Sequence, residues 1–309
     1  MAAVAKEPGP KASARKKLLL LTRARLEHFV SIVPKFLVND DPELIHDLRV
    51  RSRRLQQTLR VVLPRPKPRG ARKITKVLRR ARQALGPCRN LDVNLELVQK
   101  RGAEAQAPEA RDAWQALTED LSKRRQGLLD DARRRIAKHD LAAFIARAQA
   151  AISQLDAQAD PLPDMEEALR GALAEWDEAY ALAEKNRGPE ELHALRIAGK
   201  RLRYRAELLA DAGIASIKPM TKDLKKIQAA LGDWHDRSVL LEFIAEFIRR
   251  PKFMEHHPDR ASALLTQMEE EQKRGAATIE EFMIQAPQLR KHWRGSPLAG
   301  TRTRKVGTQ

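Results

Sequence analysis

HDLRVRSRRL at residues 46–55 returns, 147 residues further on, as HALRIAGKRL at residues 193–202. Wound at ~100° per residue, the first copy puts His46, Arg49, Arg53, Gln56, Gln57 and Arg60 in one arc of about 100°. Leu44, Ile45, Leu48, Leu55, Leu59 and Val62 fall in a separate arc. The pattern predicts an amphipathic helix with a buried apolar side and a cationic edge headed by histidine. In the second copy His193, Arg196, Lys200, Arg203 and Tyr204 take the cationic arc, and Leu192, Leu195, Leu202, Ala206 and Leu209 take the apolar one. Placement around the helix is repeated, and not only composition.

The repeat extends downstream. Lys76-Val-Leu-Arg79-Arg80 with Leu85-Gly86 realigns with Lys222-Asp-Leu-Lys225-Lys226 and Leu231-Gly232 at the same spacing to within one residue. Here Lys73, Lys76, Arg79 and Arg80 oppose Ile74, Val77, Leu78 and Leu85. Lys222, Lys225 and Lys226 likewise oppose Leu224, Ile227 and Leu231. The expected fold is all-α: an internal duplication giving two antiparallel helical bundles related by a pseudo-two-fold axis.

Helical periodicity recurs over 15–35, 42–63, 69–85, 90–101, 108–136, 139–157, 164–186, 189–211, 217–231, 235–249 and 257–284. Gly86-Pro87, Gly188-Pro189 and Pro251 are among the breaks between these segments. Residues 1–14 and 291–309 lack the period and read as basic tails. Between them, 15–290 reads as one domain: a first repeat over 15–159, a linker at 160–164 and a second repeat over 165–290.

The 309 residues are 42% hydrophobic, enough for a core of this size, and only 4% aromatic. Lys and Arg number 59 against 41 Asp and Glu, a formal charge of +18. A compact chain so charged repels itself until an anion binds, so the expected partner is a polyanion. The single cysteine, Cys88, excludes an intramolecular disulfide and suits a reducing cytoplasm. Its expected role is that of a small buried apolar residue. The apolar run Leu18–Leu21 is cut short by Arg23 and Arg25, and no run of ~18 apolar residues occurs, so neither signal peptide nor membrane insertion is expected.

Basic stripes suit phosphate because the planar fork of arginine grips its oxygens and lysine adds a mobile charge. From Arg49 to Arg60 the stripe runs about 16 Å, which fits a linear polyanion better than a mononucleotide. Residues 117–139 give the contrast. There Arg124, Arg125 and Arg133–Arg135 alternate with Glu119, Asp120, Asp130 and Asp131, as on a solvated face.

HDLRVRSRRL with LGPCRNLDV (85–93), and HALRIAGKRLRYRAELL with LGDWHDRSV (231–239), resemble the two signatures of the CHAD (conserved histidine α-helical domain) family. The resemblance covers roughly residues 15–290. It implies two helical bundles whose basic helices line a groove for inorganic polyphosphate. It carries a phosphate-binding role to His46, Arg49, Arg53, Arg54, Lys76 and Arg80, and to His193, Arg196, Lys200, Arg201, Lys222 and Lys226. The helical stripes add Lys73, Arg79, Arg203, Tyr204 and Lys225. No chemistry is assigned to the turn at Arg89–Asp92 or its counterpart His235–Ser238. Some family members also carry a triphosphate-tunnel catalytic domain, for which this chain has no room, so the resemblance is to stand-alone members.

A non-catalytic polyphosphate-binding protein, with no cofactor and no metal, is the leading expectation; it would sit in the cytoplasm at polyphosphate granules. A metal-dependent phosphohydrolase of the HD type is the enzymatic alternative, resting on the adjacent pairs His46-Asp47 and His235-Asp236. The counterpart of Asp47 is Ala194, which weakens it. Non-specific nucleic-acid binding at low salt is expected from charge alone. Only Tyr204 offers a stacking surface on a stripe, so selective binding is not expected.

Overall fold

The computed structural model describes residues 10–63, 69–156 and 165–294. Among them the chain forms α1 (Pro10–Val38), α2 (Pro42–Val62), α3 (Arg69–Glu104), α4 (Pro108–Ala137), α5 (Leu141–Asp156), α6 (Met165–Lys185), α7 (Pro189–Asp211), a 3-10 turn (Ala215–Ile217), α8 (Lys218–Ile248), α9 (Pro251–His256) and α10 (Pro258–Arg294). The described residues include no strand. No helix among them is long and apolar enough to cross a membrane. The linker expected at 160–164 and most of both expected tails lie outside the described residues. Residues 10–14 and 291–294, read as tail, are helical.

Proline opens several helices, where its missing donor costs nothing: Pro42, Pro108, Pro189 and Pro251 each follow the N-cap. Asp41 caps α2 by accepting the Glu43 N–H at 2.8 Å. At the far end of α7, Gly213 takes φ 99°, open to glycine at little cost, and the Ile214 N–H closes back on Leu209 O.

Two expected breaks are absent. Gly86-Pro87 lies inside α3, and Gly232 lies inside α8. Interior proline costs ~3 kcal/mol. Here Leu85, Cys88 and Leu91 bury their side chains on either side of it, while Pro87 and Gln83, whose carbonyl loses its donor, are exposed to water. Burial across the break outweighs the lost bond.

The helices pack as two units. The first comprises α1 to α5 together with Asp233–Ala277, so the end of α8, all of α9 and most of α10 belong to it. In its core Leu91, Leu95 and Val98 of α3 and Trp114, Leu117 and Leu121 of α4 meet Leu240, Ile244, Phe247, Phe253 and Leu264. The second comprises α6, α7, α8 up to Gly232 and the chain from Thr278. Trp176, Tyr180 and Trp293 are buried in it, the two indoles 6.1 Å apart. The units do not coincide with the sequence copies, since Asp233–Ala277 falls in the second copy and packs in the first unit.

Candidate anion-binding surfaces

In the first unit α2 and α3 run antiparallel, fastened by side chains that reach the neighbour's backbone. Arg49 Nη1 donates to Arg82 O at 3.0 Å, and Arg82 Nη1 donates back to Ser52 O at 3.3 Å. Arg82 also donates to Gln56 Oε1, and Gln56 Nε2 donates to Thr75 O at 3.3 Å. The Arg49 guanidinium passes close to Gly86, where a Cβ would stand 3.4 Å from Nη1, an ordinary contact distance. Arg49 therefore joins the two helices. Gln56, which falls on the cationic arc, is buried in this bridge.

Around the bridge the cations differ in exposure. His46, Arg49 and Arg53 are half-buried, whereas Arg54, Lys73, Lys76, Arg79 and Arg80 are exposed. Among the described residues His46, Arg54, Lys73, Lys76, Arg79 and Arg80 make no ion pair. Four of these six lie along the outer face of α3, opposite the buried Ile74 and Leu78. Asp47, next to His46, is held by Arg51 Nη2 at 3.1 Å.

The second unit repeats the scheme with different parts. Gln228, the counterpart of Arg82, donates from Nε2 to Arg196 O at 3.4 Å, tying α7 to α8. Gly199 lets this happen: a Cβ there would lie 2.6 Å from Gln228 Nε2 and 2.7 Å from Trp176 Cζ3. Arg196, Lys200, Arg203 and Tyr204 are half-buried; His193, Lys222, Lys225 and Lys226 are exposed. Lys222, Lys225 and Lys226 make no ion pair among the described residues.

Two arginines of this unit carry their own counterions. Arg201 Nη1 reaches Glu175 of α6 at 2.9 Å, and Arg203 Nε lies 3.6 Å from Glu207. The Arg203 guanidinium also stands 4.9 Å from the centre of the Tyr204 ring. The structure thus gathers the first-unit residues on α2 and α3 and the second-unit residues on α7 and α8. It turns Arg201 toward α6.

The stretches Arg89–Asp92 and His235–Ser238, read as turns, are helical, within α3 and α8, and have a packing role. Buried Asp92 of α3 accepts from Arg125 Nε of α4 at 2.5 Å, and Arg125 Nη2 donates to Asp40 O at 2.9 Å. Arg133 reaches the Asp40 carboxylate as well. Arg125 and Arg133 were expected on a solvated face; Arg125 turns inward because the buried carboxylate of Asp92 requires a partner, and Arg133 turns to the end of α1 at Phe36 and Asp40. Arg237, in the counterpart stretch of α8, binds Glu271 of α10, which is 1% exposed. Arg101 Nε at 2.5 Å and Arg274 Nη1 at 2.6 Å complete that site. Arg82 and Gln228 were also missed by the sequence reading, although both occupy the same place in the repeat.

No group of three or more His, Cys, Asp or Glu placed to hold a metal occurs among the described residues. The family model for the CHAD domain matches residues 21–245. Two solved structures are similar. The CHAD domain from the plant Ricinus communis superposes with a TM-score of 0.65 at 20% identity, covering 86% of this chain and 90% of that chain. PptA from Streptomyces chartreusis gives a TM-score of 0.66 at 18% identity, covering 88% and 98%. At these identities the likeness is one of fold. A search of curated proteins finds no match.

Proposed function

This chain belongs to the CHAD domain family, and we propose that it is a non-catalytic protein that binds inorganic polyphosphate through the basic faces of α2 and α3 and of α7 and α8. The observation that carries this reading is the outer face of α3. Lys73, Lys76, Arg79 and Arg80 are exposed there, without an ion pair among the described residues. A folded protein gains nothing internally from four repelling cations over about two helical turns, whereas a chain of phosphates neutralises them in succession. Lys222, Lys225 and Lys226 repeat the arrangement on α8. The half-buried His46, Arg49 and Arg53, with Arg196 and Lys200, add donors, and Arg49 is held in place by its bond to the α3 backbone.

An internal duplication, with the pseudo-two-fold relation between copies that it implies, belongs to the same proposal. The helix boundaries support it: α2 starts at Pro42 and α7 at Pro189, the spacing that separates His46 from His193. α1 and α6 end at Val38 and Lys185, again 147 residues apart. The cytoplasm, at polyphosphate granules, is the proposed location. A tagged protein that stays diffuse in polyphosphate-rich cells contradicts this.

The test replaces Lys73, Lys76, Arg79 and Arg80 with glutamine, together with Lys222, Lys225 and Lys226. Because these side chains are exposed, the helical circular dichroism should be preserved while polyphosphate affinity falls by about a hundredfold or more. Unchanged affinity removes these faces from the binding surface. Release of orthophosphate by the wild type overturns the non-catalytic reading.

A further inference from the structure

His139 lies in the turn between α4 and α5, within the first repeat but outside its aligned sequence blocks. Its neighbours follow from the register of the α3–α4 hairpin. Asp92 meets Arg125 at 2.5 Å, and a Cβ on Gly102 would stand 3.3 Å from Trp114 Cβ. Continued toward the other end of the hairpin, this register carries His139 toward the N-terminal half of α3, and of the cations there Arg80 is near enough for its charge to act on the imidazole. The imidazole is half-buried, and its ring nitrogens make no hydrogen bond among the described residues. Lys138 beside it is exposed and makes no ion pair among them.

The charged groups at this level are nearly all cationic. From α3 come Lys76, Arg79 and Arg80; from α4, Lys138 and Arg135, the latter paired with Asp131 at 2.7 Å. From α1 the nearest in register is Lys35, since Arg133 Nε reaches Phe36 O. On α5 the first is Arg147. Besides Asp131, the acid here is Asp140, whose carboxylate accepts the Ala143 N–H at 2.9 Å to cap α5. Burial, with the Arg80 charge adding to it, holds the His139 imidazole below the usual histidine range.

We infer that Lys138 and His139 extend the anion-binding surface of the first unit beyond Arg80, and that His139 joins the contact in its protonated form, so that affinity rises as pH falls. This rests on the proposed phosphate-binding role of α3. In the free protein a proton on His139 faces other cations and partial burial. A phosphate chain on Arg80 cancels that repulsion and supplies an acceptor for the ring N–H. Binding therefore favours protonation, and by linkage protonation favours binding.

The test follows the His139 ring resonance of the wild type by NMR from pH 5 to 8, with and without polyphosphate of defined length. The titration should move to higher pH with polymer present. In parallel, the affinities of the wild type and H139Q are measured at pH 8 and pH 5.5. The two should agree at pH 8, and at pH 5.5 H139Q should bind about fivefold more weakly, the yield of one exposed charge-assisted contact. Absence of binding at either pH refutes the proposed function itself. Binding with an unmoved His139 titration and identical pH profiles refutes this inference alone.

Discussion

Cys88 and Gly199 show how much a single position is constrained by what it touches. Burial pushes the Cys88 thiol up to about 11, with Asp92 adding to the effect and Arg125 and Arg133 opposing it. Below the ordinary thiol value of 9.0 both folded and unfolded chains keep the proton. Above it the unfolded chain ionises first, so stability contributed here is lost as pH rises through the window up to about 11. Alkylation of Cys88 at pH 8 should be about a hundredfold slower in the folded protein than in urea, and equal rates would contradict the buried assignment. Gly199→Ala forces a methyl against Gln228 and Trp176 and should lower unfolding free energy by about 1 to 3 kcal/mol in urea titration. Gly232→Ala, with nothing within 4 Å, should instead be neutral or stabilising by up to ~1 kcal/mol. The buried, apolar role of Cys88 was legible from its place in the chain. The need for glycine at 199 was not, because it depends on an indole from α6 and an amide from α8.

Helices were legible where hydrophobic period and charge placement agree, as in α2 and α7. They were misread at Gly86-Pro87, where local stop signals lose to burial on both sides, and at Gly232, which α8 passes through without a break. Buried ion pairs between helices were illegible for a related reason. Arg125 and Arg133 sit among acids in sequence, yet they reach Asp92 and Asp40 on other elements. Glu271 lies 170 residues from Arg101, and no local pattern announces that pairing. Its removal should be costly. Glu271→Ala leaves Arg101, Arg237 and Arg274 converging on an empty site and should cost about 3 to 5 kcal/mol. Glu280→Ala removes the partner of exposed Arg187 and should cost no more than about 1 kcal/mol. Thermal unfolding of the two variants side by side separates these roles, and similar losses would contradict the buried clamp. The candidate site itself was legible as stripes, since cations repelling one another on one helix face need no tertiary information to be noticed. Which of them are clamped, paired or exposed came only from the packing: Arg49 bridges to α3, Arg201 pairs with Glu175, and Lys76 has neither role.

At the scale of the molecule the excess of 18 positive charges opposes compaction, and a bound polyanion relieves it. Saturating polyphosphate, at about a hundred times its dissociation constant, should add ~2.7 kcal/mol to stability by mass action and raise the melting temperature by several degrees. Orthophosphate at equal phosphorus should do far less, because a single phosphate spans one or two of the cations along α3. The competition that decides among polyanions is a titration at ~150 mM salt, where counterion release has already weakened loose charge pairing. Labelled long-chain polyphosphate is bound to the protein and challenged with excess duplex DNA, RNA and a heparin-like polymer. Polyphosphate should stay bound, and no orthophosphate should be released. Equal displacement by every polymer would contradict this and leave only a generic basic surface.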